Sequence, residues 1–203
     1  MPKFQRLYPL LAVAVLSLGS AGVAFSDWGE REEHEEDERH EGRGGWLRPR
    51  ADVAPVSNPT YAEECGACHM AYQPGLLPAA AWARVMEPSA LTDHYGDDAS
   101  LSEALRQELA TYLTGNAANF DSRTRSRAFA VSMASAGSTG GTLPRISTTG
   151  YFLRKHDEIP PRMVKDNPEV GSFSQCNNCH QGAAKGVYND DQVRIPGYGR
   201  WED

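Results

Sequence analysis

Four cysteines and two histidines form two copies of the same short motif. The pairs Cys65–Cys68 and Cys176–Cys179 are each followed at once by a histidine, His69 or His180. Residues at positions i, i+3 and i+4 share one face of a helix, so two thiols and one imidazole can face the same porphyrin. The thiols form thioether bonds to its vinyl groups, and the imidazole binds its iron. The spacing therefore predicts two covalently bound haem c groups.

Other uses of paired cysteines explain the pattern less well. A zinc ribbon places its pairs roughly 15–20 residues apart, far closer than Cys68 and Cys176. A thioredoxin-type pair lies beside a β-α-β pattern, and the sequence lacks one. A disulfide framework is reasonable in an exported chain, but it does not explain the histidine after each pair. We therefore assign all four cysteines to haem attachment.

Each haem iron has a second axial position, which is commonly filled by His or Met. Besides His69 and His180, the only histidines outside residues 27–50 are His94 and His156. Two histidines for two irons favour bis-histidine coordination at both haems. Because short connections dominate in proteins, we expect His94 to pair with His69. By the same reasoning His156 pairs with His180, and a swapped arrangement stays open as the alternative.

Methionines are the competing axial ligands. Met70 adjoins His69 and cannot reach the far side of the porphyrin. Met86 lies on an apolar helical face, which is typical of a core position. Met133 and Met163 lie in stretches with weak periodicity, and they stay open as alternative ligands.

The N-terminus has the three-part layout of a secretory signal peptide. Lys3 and Arg6 precede an apolar run over residues 7–18, and small residues follow it. The run is short for a bilayer span, which needs roughly 20 residues, so an uncleaved anchor is the less favoured alternative. We predict a signal peptide over residues 1–26 and a periplasmic location for the exported protein.

Residues 27–50 are dense in Asp and Glu and lack apolar periodicity. Such a segment cannot bury enough apolar surface to offset its ordering entropy, so we predict a disordered acidic tether. His34 and His40 lie among these carboxylates, where solvated charge is favoured over a metal site. The whole chain has a net charge of −7. A negative chain of this kind is unlike a nucleic-acid-binding protein, which is basic and clustered in charge.

The remaining sequence predicts a mainly α fold, with two small cytochrome c-like haem units and extensive irregular loops. Asn58 and Pro59 predict the start of a helix that continues through His69. Ser100 and Glu103 predict a capping box at the start of the clearest helix. That helix has one apolar face, which consists of Leu101, Leu105, Leu109, Tyr112 and Leu113.

A run rich in Gly, Ser and Thr over residues 134–142 is typical of a linker between two units. We therefore predict an N-terminal haem unit over residues 51–118, a linker over 119–142 and a C-terminal haem unit over 143–203. Each unit then contains one attachment motif and one further histidine.

The chain resembles the bacterial soluble dihaem cytochromes c of the DHC type over about residues 57–196. The matching stretches, in order, are ECGACHMAYQPGLLPAAAW, VM, LTDHYGDDASL, RISTTGYFLRKHDEI, SFSQCNNCHQGAAKG and VRIP. The resemblance implies two bis-histidine low-spin haems, with His94 and His156 as the distal ligands, and an electron-transfer role. It also implies export, and a redox partner that is either a small oxygen-binding monohaem cytochrome or a membrane b-type cytochrome. The acidic tether and the Ser/Gly run depart from the family pattern, which leaves the partner open.

If both axial positions of each iron are filled, we expect electron transfer and no enzyme activity, because a substrate cannot reach the metal without displacing a ligand. The alternatives are a haem enzyme, such as a dihaem peroxidase or a small oxide reductase, and a gas-binding or redox-sensing cytochrome. Both need one displaceable axial ligand. A purely structural exported domain is a third alternative, and it predicts no bound haem.

Overall fold

A computed structural model of the protein describes residues 50–135 and 142–201, and within these ranges short helices and turns dominate. The predicted signal peptide, almost all of the predicted tether with His34 and His40, and most of the Ser/Gly run lie outside the described residues. The helices are α1 (Pro59–Gly66), α2 (Ala79–Val85), α3 (Pro88–Thr92), α4 (Glu103–Gly115), α5 (Thr124–Ser135), α6 (Gly150–His156) and α7 (Cys176–Cys179). Two short strands, β1 (Arg194–Ile195) and β2 (Gly199–Arg200), pair antiparallel near the C-terminus. The predicted mainly α fold is confirmed.

Helix α1 begins where the sequence predicts, because Asn58 and Pro59 provide its first turn. The side-chain oxygen of Asn58 accepts a hydrogen bond from the amide of Tyr61 at 2.8 Å, which satisfies one of the free N–H groups of the helix start. The prediction that α1 continues through His69 is wrong. The helix ends at Gly66, a residue with low helix propensity, so the last part of the first motif lies in a turn.

Helices α2 and α4 form the centre of an N-terminal apolar cluster. The predicted face of α4 is confirmed at its centre, where Leu109 and Leu113 are buried. They pack with Trp82, Val85 and Met86 from α2 and its C-terminal end. Burial of large apolar side chains such as these contributes about 1.5–3 kcal/mol each, so this pair of helices fixes the frame around the first motif.

The N-cap of α4 is Ser102, so the predicted capping box of Ser100 and Glu103 is wrong by two residues. The Ser102 hydroxyl accepts a hydrogen bond from the amide of Leu105 at 3.4 Å. Ser100 instead belongs to the preceding turn, in which its amide donates to the Asp98 carboxylate at 2.9 Å. An Asx turn of this kind competes with helix capping for the same backbone groups.

A second, C-terminal apolar cluster draws its residues from distant parts of the chain. Its buried members are Val53, Leu76, Ala118, Phe129, Phe152, Ala183 and Tyr188. Helix α5, which lies inside the predicted linker over 119–142, packs against α6 and the turn at Pro74–Leu76. The linker therefore differs from the prediction, because the apolar side chain of Phe129 gives this stretch a buried face.

The start and the end of the described chain also meet at this cluster. The amide of Asp52 donates to the carbonyl of Gly186 at 2.8 Å, and the Asp52 carboxylate accepts from the amide of Tyr188 at 2.7 Å. Gly186 has a φ of +72°, and a Cβ there would lie 2.3 Å from the carbonyl oxygen of Val53. Only glycine fits this turn. The predicted C-terminal unit thus includes residues from the predicted N-terminal one.

Among the helices of the described chain, none is long and apolar enough to cross a membrane.

Candidate haem sites

The first site consists of Cys65, Cys68, His69 and His94. Cys65 lies in the last turn of α1, and Cys68 and His69 follow that helix. The ring centres of His69 and His94 lie 6.3 Å apart, and their ring planes differ by 22°. The structure therefore brings together the two histidines that chain proximity pairs.

His94 is held by a tight turn after α3. Its amide donates to the carbonyl of Asp97 at 2.7 Å, and the amide of Asp97 donates back to the His94 carbonyl at 3.3 Å. Tyr95, the next residue, has a φ of +59°, an uncommon conformation for a residue with a side chain. The Tyr95 hydroxyl donates to the carbonyl of Pro144, and the guanidinium of Arg145 lies 4.1 Å from the centre of its ring. These contacts keep the strained turn, and with it His94, in place.

The second site consists of Cys176, Cys179, His180 and His156. Helix α7 is only four residues long, and His180 follows it in an extended conformation. His156 is the last residue of α6, whose N-cap Thr149 accepts from the amide of Phe152 at 3.2 Å. The ring centres of His156 and His180 lie 6.1 Å apart, with an angle of 74° between the ring planes.

Both histidine pairs have the spacing of two ligands on one metal ion. An imidazole nitrogen binds a metal at about 2 Å, so two imidazoles on opposite sides of one ion have ring centres roughly 6 Å apart. The observed separations of 6.3 Å and 6.1 Å fit this arrangement. Chain proximity therefore pairs histidines whose separation is compatible with shared binding of one metal ion.

The hydrogen bonds of the rings prepare them for metal binding. Nδ1 of His69 donates to the carbonyl of Met70 at 2.7 Å, and Nδ1 of His156 donates to the carbonyl of Phe152 at 2.9 Å. A ring that donates through Nδ1 keeps the lone pair of Nε2 for a metal. The buried Nδ1 atoms of His94 and His180 have no hydrogen-bond partner among the described residues. Among the described residues, these two rings therefore lack the Nδ1 hydrogen bond that orients His69 and His156.

Burial also keeps three of these rings neutral. Burial, and after it the neighbouring His156, lower the pKa of His180 to about 4. The pKa values of His156 and His94 are also lowered, in each case mainly by burial. A neutral imidazole has the free lone pair that metal binding requires, so the three rings are available as ligands at neutral pH.

A cavity lined mainly by apolar side chains surrounds the second site. Its walls include Phe152, Phe173 and Val193 together with Cys176, Cys179 and both histidines. Burial raises the pKa of Cys176 to about 11 and also raises that of Cys179. In the first site, burial and then the Glu64 carboxylate raise the pKa of Cys65 to about 11. Protonated thiols beside an apolar cavity fit a porphyrin, an apolar group that is attached through thioether bonds.

The structure describes the surroundings of two of the competing methionines, Met86 and Met163. Met86 is buried in the N-terminal cluster, as its position on an apolar face predicts. Ile159 and Val164, on either side of Met163, line the cavity of the second site. The side chain of Met133 lies outside the described residues, so its role as a ligand stays untested.

Several residues of the two sites were missed by the sequence analysis. Tyr72 packs on His69 with ring centres 4.7 Å apart, and its hydroxyl donates to the carbonyl of Ser174 at 2.6 Å. It thereby links the first site to the loop before the second motif. Arg125, from α5, also lines the cavity of the second site. The position of Tyr72 three residues after His69 is a local signal, whereas no local signal marks Arg125.

Comparisons with known proteins agree with this arrangement. The sequence profile of the family described as dihaem cytochrome c matches residues 61–188. The chain belongs to this family. It therefore binds two covalently attached haem c groups with iron, as the two motifs predict. The family is one of electron-transfer cytochromes.

Two solved structures illustrate the relationship. A dihaem cytochrome c from Shewanella baltica OS155 is 43% identical, with a TM-score of 0.57, and the match covers 71% of this chain and 98% of that one. A dihaem cytochrome c from Rhodobacter sphaeroides is 39% identical, with a TM-score of 0.53, over 67% of this chain and 100% of that one. No curated protein matches the chain.

Proposed function

We propose that this dihaem cytochrome c carries electrons through two low-spin haems, each bound by two histidines, and that it is not an enzyme. The observation that supports this most directly is the presence of two histidine pairs with ring centres 6.3 Å and 6.1 Å apart. In this proposal His69 and His94 serve one haem, and His180 and His156 serve the other. The bound haems supply the one-electron ferric/ferrous chemistry.

The protein's part is to keep both axial positions of each iron filled. The Phe152 and Met70 carbonyls fix the rings of His156 and His69 through their Nδ1 atoms, and the turn at residues 94–97 fixes the backbone of His94. Ligands held in this way do not have to rearrange when the oxidation state changes. A haem enzyme or a gas sensor needs a displaceable ligand, and these contacts oppose displacement.

Two axial imidazoles favour ferric iron more than a His/Met pair does, because an axial Met raises the reduction potential. We therefore expect low reduction potentials at both haems.

The cellular setting is part of the same proposal. The layout of residues 1–26, with Lys3 and Arg6 before an apolar run, is the basis for proposing export to the periplasm. The electron donor and acceptor are then redox proteins of that compartment or of the membrane facing it. A small oxygen-binding monohaem cytochrome and a membrane b-type cytochrome are the partners that we propose.

Carbon monoxide tests the closed axial positions, because it binds ferrous haem only where a position is open or weakly filled. We expect no change in the absorption spectrum when carbon monoxide is added to the dithionite-reduced holoprotein. In the absence of carbon monoxide, we expect rapid and reversible reduction and reoxidation of both haems. A carbon monoxide spectrum at either haem would contradict the proposal and favour the enzyme or the gas-binding alternative.

A further inference from the structure

The two histidine pairs differ in the angle between their rings. The rings of His69 and His94 are nearly parallel, with 22° between their planes. The rings of His156 and His180 are nearly perpendicular, with 74° between their planes. The distances between ring centres are almost equal in the two pairs. The pairs therefore differ in the relative orientation of their two rings and not in the distance between them.

This angle has an electronic meaning when both rings of a pair bind one iron, as proposed above. Each ring plane then contains the line from nitrogen through iron to nitrogen, so the angle between planes is the twist about that line. An imidazole interacts most strongly with the iron dπ orbital perpendicular to its own plane. Parallel rings therefore raise one dπ orbital above the other, whereas perpendicular rings raise both equally. Low-spin ferric iron has its unpaired electron in these orbitals, and electron paramagnetic resonance (EPR) reports their separation.

The orientation of His156 is set by aromatic contacts. Phe152, one helical turn earlier in α6, lies face to face with the His156 ring, with centres 3.8 Å apart and 9° between planes. The backbone carbonyl of the same residue accepts the Nδ1 hydrogen bond at 2.9 Å. Phe173 meets the ring edge-on, with centres 5.8 Å apart and an angle of 81°. A ring held on its face and at one nitrogen cannot turn about its Cβ–Cγ bond without losing both contacts.

His180 is oriented by a different neighbour. Tyr188 packs against it edge-on, with ring centres 5.4 Å apart and an angle of 67°. The Tyr188 hydroxyl donates to the side-chain oxygen of Gln73 at 2.6 Å, and both residues are buried. The two rings of this pair are therefore fixed independently, which prevents them from relaxing toward a common plane.

The first pair has the opposite arrangement. Tyr72 lies over His69 with 20° between planes, and His94 is within 22° of His69 as well. Tyr95 meets His94 edge-on, at 70°. The rings of Tyr72 and His94 are thus each close to parallel with the ring of His69. None of these contacts holds the His94 ring perpendicular to the His69 ring.

We infer that Phe152 is a positioning residue, which holds His156 nearly perpendicular to His180 and so gives the second haem a ferric electronic structure unlike that of the first. The inference rests on the proposed bis-histidine ligation. It extends that proposal by assigning to each site a different spectroscopic class.

EPR at low temperature on the oxidised full-length holoprotein tests the inference. We expect two low-spin signals of equal spin concentration. The first haem should give a rhombic signal with three resolved features. The second haem should give a single resolved feature, displaced to lower field than the rhombic signal. The Phe152→Leu variant removes the stacked ring, and we expect it to move only the displaced feature toward a rhombic form.

Two further variants control for general damage. Phe129→Leu removes a phenyl ring from the same apolar cluster and cavity wall, where Phe129 packs edge-on against Tyr151 and not against either histidine ring, and we expect the ring angles, and with them both signals, to stay unchanged. Phe152→Tyr keeps a stacked ring, and we therefore expect it to keep the displaced feature. This variant tests the role of stacking if Phe152→Leu fails to fold.

The outcomes separate the inference from the proposed function. Two rhombic low-spin signals in the unchanged protein would overturn the inference and leave bis-histidine ligation intact. A displaced feature that persists in a folded Phe152→Leu variant would overturn the role of Phe152. A high-spin signal would contradict the proposed ligation itself.

Discussion

The two haem sites use the same motif in different surroundings. The first site lies beside helices α2 and α4, its Cys68 is exposed, and His94 lies in a turn close to exposed acidic residues. The second site lies in a cavity bounded by α5, α6 and residues near the end of the described chain such as Ile195 and Trp201, and neither of its cysteines is exposed. An attachment motif therefore fixes the cofactor but not its environment, which depends on the residues that the rest of the fold brings to it.

The hydrogen bonding of the histidines differs in a related way. In the first pair the motif histidine, His69, is anchored by a backbone carbonyl. In the second pair it is the distal histidine, His156, that is anchored, and the motif histidine has an unpartnered Nδ1 among the described residues. Hydrogen bonds to metal ligands tune the metal, so the two haems are expected to differ in reduction potential as well as in EPR class.

The largest expected effect comes from removing one haem at a time. Cys176→Ser with Cys179→Ser abolishes attachment at the second site, and Cys65→Ser with Cys68→Ser does so at the first. Mass spectrometry should then find one haem in place of two in each variant. The second-site variant should be the less stable, because it empties the apolar cavity between α5 and α6. A difference of about 2 kcal/mol corresponds to roughly 4–8 °C in Tm for a chain of this size. Equal Tm values would mean that the cavity is not important for stability.

Opening one axial position tests the two sites separately. His94→Ala and His156→Ala should each convert one of the two haems to a form that binds carbon monoxide when reduced. Binding should be slower in His156→Ala, because that position faces the apolar cavity that surrounds the second site. Flash photolysis of the carbon monoxide complexes measures both rates. Faster carbon monoxide binding in His156→Ala than in His94→Ala would contradict the expectation that the second site is the less accessible of the two.

A smaller effect is expected from the charge of Arg125. Its guanidinium donates to the carbonyl of Tyr188 at 3.0 Å and to the hydroxyl of Tyr151 at 3.2 Å, and its buried Nε has no hydrogen-bond partner among the described residues. A positive charge near a haem favours ferrous iron, although the Asp52 carboxylate, 3.9 Å from the Arg125 guanidinium, offsets part of this charge. Coulomb's law gives about 1–2 kcal/mol for unit charges roughly 10 Å apart at an effective dielectric constant of about 20.

Arg125→Leu should therefore lower the reduction potential of the second haem by some tens of millivolts, on a scale of about 59 mV for a tenfold change in a one-electron equilibrium. The first haem should be unaffected. Spectroelectrochemistry measures both potentials, and Arg125→Lys, which keeps the charge, is the matched control. An equal shift at both haems would show that the charge does not belong to the second site alone.

The smallest effect is expected at Asp121, which ties the start of the chain to α5. Its carboxylate accepts from the amide of Ala54 at 3.1 Å and from the hydroxyl of Ser126 at 2.7 Å. Burial opposes the charge, but these bonds and those from Arg123 outweigh it, so the pKa of Asp121 is below its ordinary value. A lowered pKa in the folded state stabilises the protein above the unfolded pKa of about 3.9, and this contribution is lost as the pH falls through the folded pKa.

Asp121→Asn should therefore lower the free energy of unfolding by about 1 kcal/mol at pH 7, and by less at pH 3. Urea unfolding at the two pH values measures this difference. Asp157→Asn, at an exposed position, is the control and should change little. A loss of the same size at both pH values would contradict the role assigned to the carboxylate.

Local patterns predicted much of the site and part of the fold. The motif spacing predicts the haem attachment residues, and the apolar face of α4 predicted the burial of Leu109 and Leu113. Chain proximity predicted which histidines the structure brings together. Each of these signals lies within a short stretch of sequence.

Contacts between distant residues could not be predicted in this way. The buried residues that cluster with Phe129 of the expected linker come from distant segments of the chain, and the hydrogen bond from the amide of Asp52 to the carbonyl of Gly186 joins residues far apart in the sequence. The 74° angle at His156 follows from Phe152 and Phe173. A ring angle depends on which side chains pack around it, so no spacing rule contains it.

The most direct test of the account is a spectroelectrochemical titration of the full-length holoprotein, followed by optical absorption and by resonance Raman scattering. We expect two one-electron transitions, both at low potential, and six-coordinate low-spin haem in the fully oxidised and the fully reduced states. A five-coordinate or high-spin haem in either state would contradict the claim that His69, His94, His156 and His180 fill both axial positions of both irons.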